Sequence, residues 1–181
     1  DHFDSPTVVA DPATDIADIF AWTTADRRHI NLVMTLPVAE FSDAVQYAFR
    51  VESTEAYGAA GVELDVICTF STNQNLECWV GKQDYVSGDA SSEFGLLSDT
   101  GRVRAFSGER NDPFFFNSSG FNATVAAVAA AAPSLDFDSS GCPTLDDATS
   151  TALLAQLASG GDGFALLSVQ ALVLQIDRSL L

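Results

Sequence analysis

The stretch VELDVICTFSTNQNLECWV, residues 62–80, determines the fold class that the sequence predicts. Apolar residues lie on both sides of a short polar segment, which is typical of a strand, a turn and a second strand. Cys68 and Cys78 are each five residues from Asn73, so a hairpin centred there makes them face each other. Facing positions on antiparallel strands suit a disulfide. We therefore predict a Cys68–Cys78 bridge, with two buried free thiols as the alternative.

The same alternation of short apolar runs and turn signals extends in both directions from this hairpin. The segment AVQYAFRVES places Val45, Tyr47, Phe49 and Val51 on one face of a strand. Other strands are predicted at DIFAWTT, HINLVMTL, GRVRAFSGE and VQALVLQIDRSLL. These runs are short and rich in β-branched or aromatic residues, as in antiparallel sandwiches.

Two late segments interrupt the strand pattern. Residues 121–132 are rich in alanine and end at Pro133, which cannot continue a helix. Residues 146–158 begin with acidic residues suited to a helix N-terminus and end before a Gly-Gly pair. The prediction is a mainly β chain, a single antiparallel β-sandwich or meander domain over 1–181, with two short late helices in an insertion at about 118–160.

The charge of the chain limits the partners that it suits. It has 25 acidic and 8 basic residues, a formal net charge of −17. Such a surface repels nucleic acid and anionic lipid and favours a cation or a basic partner. Solubility of a secreted protein or adaptation to salty surroundings would equally account for this charge. No apolar run reaches the ~20 residues of a membrane-spanning helix, so no membrane span is predicted.

The opening segment, DHFDSPTVVADPATDIADIFAW, concentrates acidic residues before a predicted strand. Three of its aspartates are spaced four and three residues apart, which favours one face of a turn or short helix. Calcium prefers several such oxygen ligands, and a histidine would shift the preference toward another divalent metal. Turn and cap chemistry is the alternative explanation. The predicted metal ligands are His2, Asp4, Asp11, Asp15 and Asp18, with Asp112 as a further candidate.

Export is a further expectation from the sequence. A chain that begins Asp1-His2-Phe3 resembles a mature N-terminus left by cleavage. A disulfide also favours a secreted, extracellular or periplasmic location. Cys142 is left over in a predicted loop, where it is free, pairs with another chain or competes with the other two cysteines.

The stretch GERNDPFFFN, residues 108–117, combines charge with three adjacent aromatic residues. A charge beside such an aromatic wall is partly desolvated and therefore needs a partner. We predict a structural role for Arg110, Asp112, Phe114 and Phe115, with a buried Arg110–Asp112 pair that locks a turn. The alternative is that Asp112 completes an ion site that begins at the N-terminus.

Signatures of catalysis are weak. The chain has two histidines, His2 and His29, and it lacks the G-x-S-x-G, P-loop, G-x-G-x-x-G and H-E-x-x-H motifs. The cysteines lack the paired C-x-x-C spacing of zinc sites. No catalytic residue is therefore predicted.

Four stretches together resemble the DUF4331 family of exported, mainly bacterial proteins of unknown function. They are DHFDSP…DPATDIADIFAW, INLVMTL, GERNDPFFFN and VQALVLQIDRSLL, in that order. The residues that match the family motifs are His2, Pro6, Asp11, Pro12, Asp15, Asp18, Phe20, Ala21, Trp22, Arg110, Asp112, Pro113, Phe114 and Phe115. The resemblance implies export and a β-rich domain, and it associates the two unusual stretches with each other.

Three functional hypotheses follow from the sequence. The first is a secreted acidic binding domain that holds a cation, calcium above all and structural in role, through its N-terminal aspartates. The second is a structural or assembly subunit of an extracellular layer or filament, which the odd Cys142 and pairing between exposed strand edges would support. The third is a metal-dependent enzyme with His2 as a ligand or base, and it is the weakest because no reaction is indicated.

Overall fold

In the computed structural model, which describes residues 5–181, the chain divides into two compact units. The first unit contains the chain up to Arg110 together with Ser168–Leu181, and the second is Asn111–Leu167. The helical insertion predicted at about 118–160 lies inside the second unit.

The first unit consists mainly of two antiparallel sheets, so the predicted mainly β fold class is confirmed. One sheet has five strands, in the order β1 (Asp18–Thr23), β2 (His29–Leu36), β9 (Ser168–Asp177), β8 (Val103–Asn111) and β7 (Leu96–Leu97). The other has four strands, in the order β3 (Tyr47–Ser53), β4 (Val62–Phe70), β5 (Leu76–Val80) and β6 (Asp84–Gly88). A short helix, α1 (Pro6–Ala10), and a 3-10 turn, Pro12–Thr14, precede β1.

The hydrophobic core lies between the two sheets and follows the period-2 pattern of the strands. Tyr47 and Phe49 share one face of β3 as predicted, and that face is buried. They share one core cluster with Leu172, Leu174 and Ile176 of β9 in the other sheet. The two inner faces therefore pack as a β-sandwich.

The predicted hairpin and its disulfide are both present. β4 and β5 pair so that Cys68 is directly opposite Cys78, and Phe70 is opposite Leu76. The two sulfur atoms are bonded, and both cysteines are fully buried in the core. Cys142 is a free, exposed cysteine.

A polar cluster around Asp84 connects the two sheets, and the sequence did not indicate it. The Asp84 side chain is 2% exposed and lies 3.7 Å from Nε of Arg102. The Ser98 hydroxyl donates to it at 3.2 Å, and the Thr100 hydroxyl also donates to it. Asp84 begins β6, an edge strand of the four-stranded sheet. Ser98, Thr100 and Arg102 lie in the turn between β7 and β8 of the five-stranded sheet, so this cluster joins the two sheets.

The second unit contains α2 (Ser118–Ala131) and α3 (Asp147–Ala158), close to the two predicted helices. Asn117 connects them. Its Oδ1 accepts from the N–H of Gly120 at the start of α2, while its Nδ2 donates to the Leu157 carbonyl oxygen at 2.8 Å, near the end of α3. A Cβ at Gly160 would lie 1.8 Å from that Oδ1, so glycine is required there. Among the helices of residues 5–181, none has the length and apolar character needed to cross a membrane.

Candidate functional site

The N-terminal aspartates occupy three different environments. Asp11 is exposed and caps the 3-10 turn, where its Oδ1 accepts from the Ala13 N–H at 3.2 Å. Asp15 is only 3% exposed. Asp18 begins β1, and its N–H donates to the Thr35 hydroxyl at 3.1 Å. The turn-and-cap explanation is therefore correct for Asp11.

The remaining predicted metal ligands are only partly described. His2 and Asp4 lie outside the described residues. Asp112 uses its Oδ1 to accept from the Phe114 N–H at 2.9 Å, which is ordinary turn chemistry. Within residues 5–181, no group of three or more His, Cys, Asp or Glu side chains is placed to hold a metal ion.

The predicted buried Arg110–Asp112 pair is wrong. Arg110 is exposed: its guanidinium lies over the Phe106 ring at 3.9 Å, and its Nη1 donates to the Glu109 carbonyl oxygen at 2.7 Å. Asp112 is half-buried in its own turn. Stacking on an aromatic ring lets the guanidinium remain hydrated at its edge, so no buried partner is needed.

The three adjacent phenylalanines of the second unit differ in their contacts with other aromatic rings. The Phe114 ring stacks on Phe116 with centroids 5.6 Å apart and meets Phe164 edge-on at 5.6 Å. Phe115 is 73% exposed, and its structural role stays a prediction. Adjacent side chains of an extended segment point in opposite directions, which explains the difference between Phe115 and its neighbours.

A polar groove in the first unit is the strongest candidate site, and we call it the loop groove. It has a volume of about 330 Å³. Three exposed carboxylates line it, those of Glu40, Asp89 and Glu109. They come from the loop after β2, the loop after β6 and strand β8. A second cavity of about 300 Å³ shares Ala39, Glu109 and Gln170 with the loop groove and extends it.

Two side-chain amides fix the backbone that lines the loop groove. Gln74 donates from Nε2 to the Phe41 carbonyl oxygen at 2.9 Å and accepts from the Phe41 N–H at 3.1 Å. Gln170 donates to the Ala39 carbonyl oxygen at 2.6 Å. The Phe41 ring stacks on Phe70 of β4 with centroids 4.1 Å apart. The residues on both sides of Glu40 are therefore held by the sandwich, which preorganises this wall of the groove.

The loop groove is a region of negative potential. The Ser91 hydroxyl and backbone N–H donate to Asp89 and hold its pKa below the usual value. Asp89 thus stays ionised well into the acidic range. The lining, all of it in the described chain, includes carboxylates, amides and hydroxyls but no Lys, Arg or His.

Sequence reasoning missed these residues because each carboxylate looks like ordinary surface charge. Glu40 and Asp89 are in loops. Glu109 directly precedes Arg110, and the sequence of that stretch predicts an ion pair of Arg110 rather than a role for Glu109. The structure adds that Gln74, in the polar turn of the cysteine hairpin, has a φ of 60°, which is unusual for a residue with a side chain and is not visible in the sequence.

Comparison with known proteins finds no family model, no curated protein and no solved structure that matches this chain. The resemblance to the DUF4331 family stays a prediction. Arguments about function therefore come from the chemistry of the chain itself.

Proposed function

We propose that this chain is an exported binding domain whose loop groove takes a basic side chain of a protein partner, an ammonium or guanidinium group. The observation that carries the proposal is that Glu40, Asp89 and Glu109 line one preorganised groove to which residues 5–181 contribute no basic side chain. A cation that enters such a groove gains from several carboxylates at once and can donate hydrogen bonds to them.

The net charge of −17 supports the same partner class, because it draws basic surfaces toward the domain and speeds their association. Export is supported by the buried disulfide, which persists in oxidising compartments. An organic cation is preferred over a bare metal ion, because within residues 5–181 no three carboxylates are placed to hold a metal ion together.

The test must separate the groove from the general acidity of the surface. The groove variant is Glu40→Gln, Asp89→Asn, Glu109→Gln, in which the new amide oxygen at position 89 can still accept from Ser91. The control variant, Glu52→Gln, Glu63→Gln, Asp99→Asn, removes the same charge from exposed positions outside the groove. Titration calorimetry with hexa-arginine at about 150 mM salt limits long-range attraction.

We expect the groove variant to lose at least about tenfold in affinity and the control variant to lose much less. Equal losses in the two variants would contradict the proposal, since they would show that hexa-arginine responds only to net charge. Binding of uncharged hexaglycine as tightly as hexa-arginine would contradict it as well.

We also propose, separately, that Asp11, Asp15 and Asp18 bind calcium. The support for this proposal is the spacing of these residues in the sequence. A bound ion stabilises the native state, so a chelator should lower the melting temperature and calcium should restore it. The Asp15→Asn, Asp18→Asn double variant should remove this response. A melting curve that is indifferent to chelator and calcium rules out calcium at these residues.

Assembly between copies is the second candidate function, and strand β1 favours it. β1 is an edge strand of the five-stranded sheet, and its Ile19 and Trp22 are each about half exposed. Exposed apolar edge strands pair readily with other chains. Sedimentation should then show oligomers that Ile19→Lys disperses and Cys142→Ser leaves intact. A monomer at about millimolar concentration argues against assembly through this edge.

A further inference from the structure

A second groove lies on the outer face of the five-stranded sheet, and we call it the face groove. It has a volume of about 290 Å³. Asn31 of β2 is directly opposite Gln175 of β9, and both line it. These two strands have neighbours on both sides in the sheet, so their backbone groups are already paired. Recognition above them must therefore use side chains.

Two guanidinium groups also line the face groove, those of Arg104 and Arg110. Arg28, Arg50 and Arg102 each have a carboxylate within 4.0 Å. Arg104 instead donates to the Phe94 carbonyl oxygen at 2.5 Å, and Arg110 lies over Phe106. Within the described chain, neither forms an ion pair.

Each of these two guanidinium groups has five N–H donors and commits one of them in the bonds described above. Both side chains are exposed. The remaining donors match the geometry of a carboxylate, which guanidinium groups bind through two parallel hydrogen bonds. In a chain of net charge −17, two arginines on one groove that form no ion pair with residues 5–181 provide a local preference for an anionic group.

The side-chain amides add neutral hydrogen-bonding capacity beside the arginines. Asn31 is 8% exposed, and its Oδ1 accepts from Gln175 Nε2 at 3.1 Å. This bond leaves the Asn31 amino group and the Gln175 carbonyl oxygen able to bond a ligand. One donor and one acceptor side by side suit a hydroxyl group, which both donates and accepts.

An exposed aromatic ring completes the lining. Phe94 is 72% exposed, and its carbonyl oxygen accepts from Arg104, which fixes its backbone in the groove wall. Such a ring gains from stacking against a flat, partly apolar ligand surface. Glu93 also lines the groove, and its carboxylate opposes an anionic ligand, so the two arginines must outweigh that repulsion.

We propose that the face groove binds an acidic sugar, a uronate unit whose carboxylate is held by Arg104 and Arg110. The hydroxyl groups of the sugar bond to Asn31 and Gln175, and its apolar face stacks on Phe94. An acidic peptide also offers carboxylates, but it has neither the ring hydroxyls that match the amide pair nor a flat apolar face for Phe94.

Titration calorimetry with trigalacturonate tests the proposal, with its fully methyl-esterified form as a matched neutral ligand and hexaglutamate as an acidic peptide. The variants are Arg104→Gln and Arg110→Gln. Arg50→Gln is the control, because Arg50 is an exposed arginine outside the groove. The melting temperature of each variant is recorded to confirm that it is folded.

We expect trigalacturonate to bind at about 150 mM salt and the ester to bind at least about tenfold more weakly. Each groove variant should lose at least about tenfold and Arg50→Gln should lose nothing measurable. Glu93→Gln, at an exposed position, should bind more tightly because a repelling charge is gone. Phe94→Ala should bind more weakly.

Five results would overturn the proposal. The first four are no binding of trigalacturonate at about millimolar concentration, equal affinity for the ester, an equal loss in Arg50→Gln, and hexaglutamate binding as tightly as the sugar. Equal binding of hexaglutamate would show that the groove recognises carboxylates alone. The fifth is an unchanged affinity in Phe94→Ala, which would overturn the assignment of a sugar.

Discussion

Gln74 binds both backbone polar groups of Phe41, a residue 33 positions away in the sequence. A primary amide can do this because it has a donor and an acceptor side by side. Gln74 has a φ of 60°, and its side chain reaches the loop after β2. Gln74 is in the turn of the β4–β5 hairpin, whereas Phe41 is in the connection from β2 to β3, so the bond closes one wall of the loop groove.

Gln74→Glu should destabilise the fold by about 1–3 kcal/mol, because a carboxylate then faces the Phe41 carbonyl oxygen without a proton to donate. Urea unfolding measures the change. Asn73→Asp is the matched control: it adds the same charge at the adjacent exposed residue, and its effect should stay within about 0.5 kcal/mol. Similar losses of stability in the two variants would mean that the added charge, and not the lost hydrogen-bond donor, destabilises the fold.

The same pair of variants also tests the binding proposal. Asn73→Asp should increase affinity for hexa-arginine, because it adds a negative charge to an ordered groove. Gln74→Glu should fail to do so, because the order of the wall is lost. A gain in both variants would show that preorganisation by Gln74 is unimportant.

Removing the disulfide should cost about 3 kcal/mol, the chain-entropy value for a loop of this length. The variant is Cys68→Ala with Cys78→Ala. The two positions are ten residues apart in the sequence and directly opposite each other on β4 and β5, and alanine keeps this part of the core apolar. Urea unfolding is again the measurement. Cys142→Ser should change stability by less than about 0.5 kcal/mol, because that thiol is exposed. A double variant as stable as wild type would contradict the expectation.

Asp84→Ala should cost about 3 kcal/mol, because loss of the buried carboxylate leaves the Ser98 and Thr100 hydroxyls and the Arg102 guanidinium without their acceptor. Asp99→Ala, at an exposed position in the same turn, is the control and should stay within about 0.5 kcal/mol. Equal stability of the two variants would show that the cluster does not join the sheets energetically.

The sequence predicted the long strands because each buries alternate residues over several positions. β2 was located at His29–Leu36 from its apolar run, and the register of Cys68 with Cys78 followed from their equal distance to Asn73. β6 and β7 were missed. β6 is short and polar, and β7 has only two residues, so neither gives a periodic signal.

The two grooves could not be predicted, because their residues come from elements that only the fold brings together. Glu40 and Asp89 are 49 positions apart in the numbering, and no local pattern distinguishes them from other surface acids. Arg110 shows the converse error. Its charge beside three phenylalanines predicts a buried ion pair. In the structure, the guanidinium of Arg110 is exposed and stacks on the ring of Phe106, four residues earlier in the chain.

The start of α3 should respond to acid through Asp146. The N–H and hydroxyl of Thr149 donate to this carboxylate, and they hold its pKa below the usual value of 3.8. A lowered pKa in the folded state means that the contribution to stability is present above about pH 3.8 and is lost as the pH falls through the lowered pKa. The Thr149 amide resonance, followed by NMR during an acid titration, should shift in that window.

Asp146→Asn distinguishes titration of the cap from general acid unfolding. Asparagine is also a good N-cap, so its side-chain oxygen should keep the bond from the Thr149 N–H while it loses the titrating proton. The amide shift at Thr149 should then become independent of pH below about 4, whereas Asp147→Asn, beside the cap, should leave the wild-type transition in place. A transition that persists unchanged in Asp146→Asn would show that other carboxylates control the helix start.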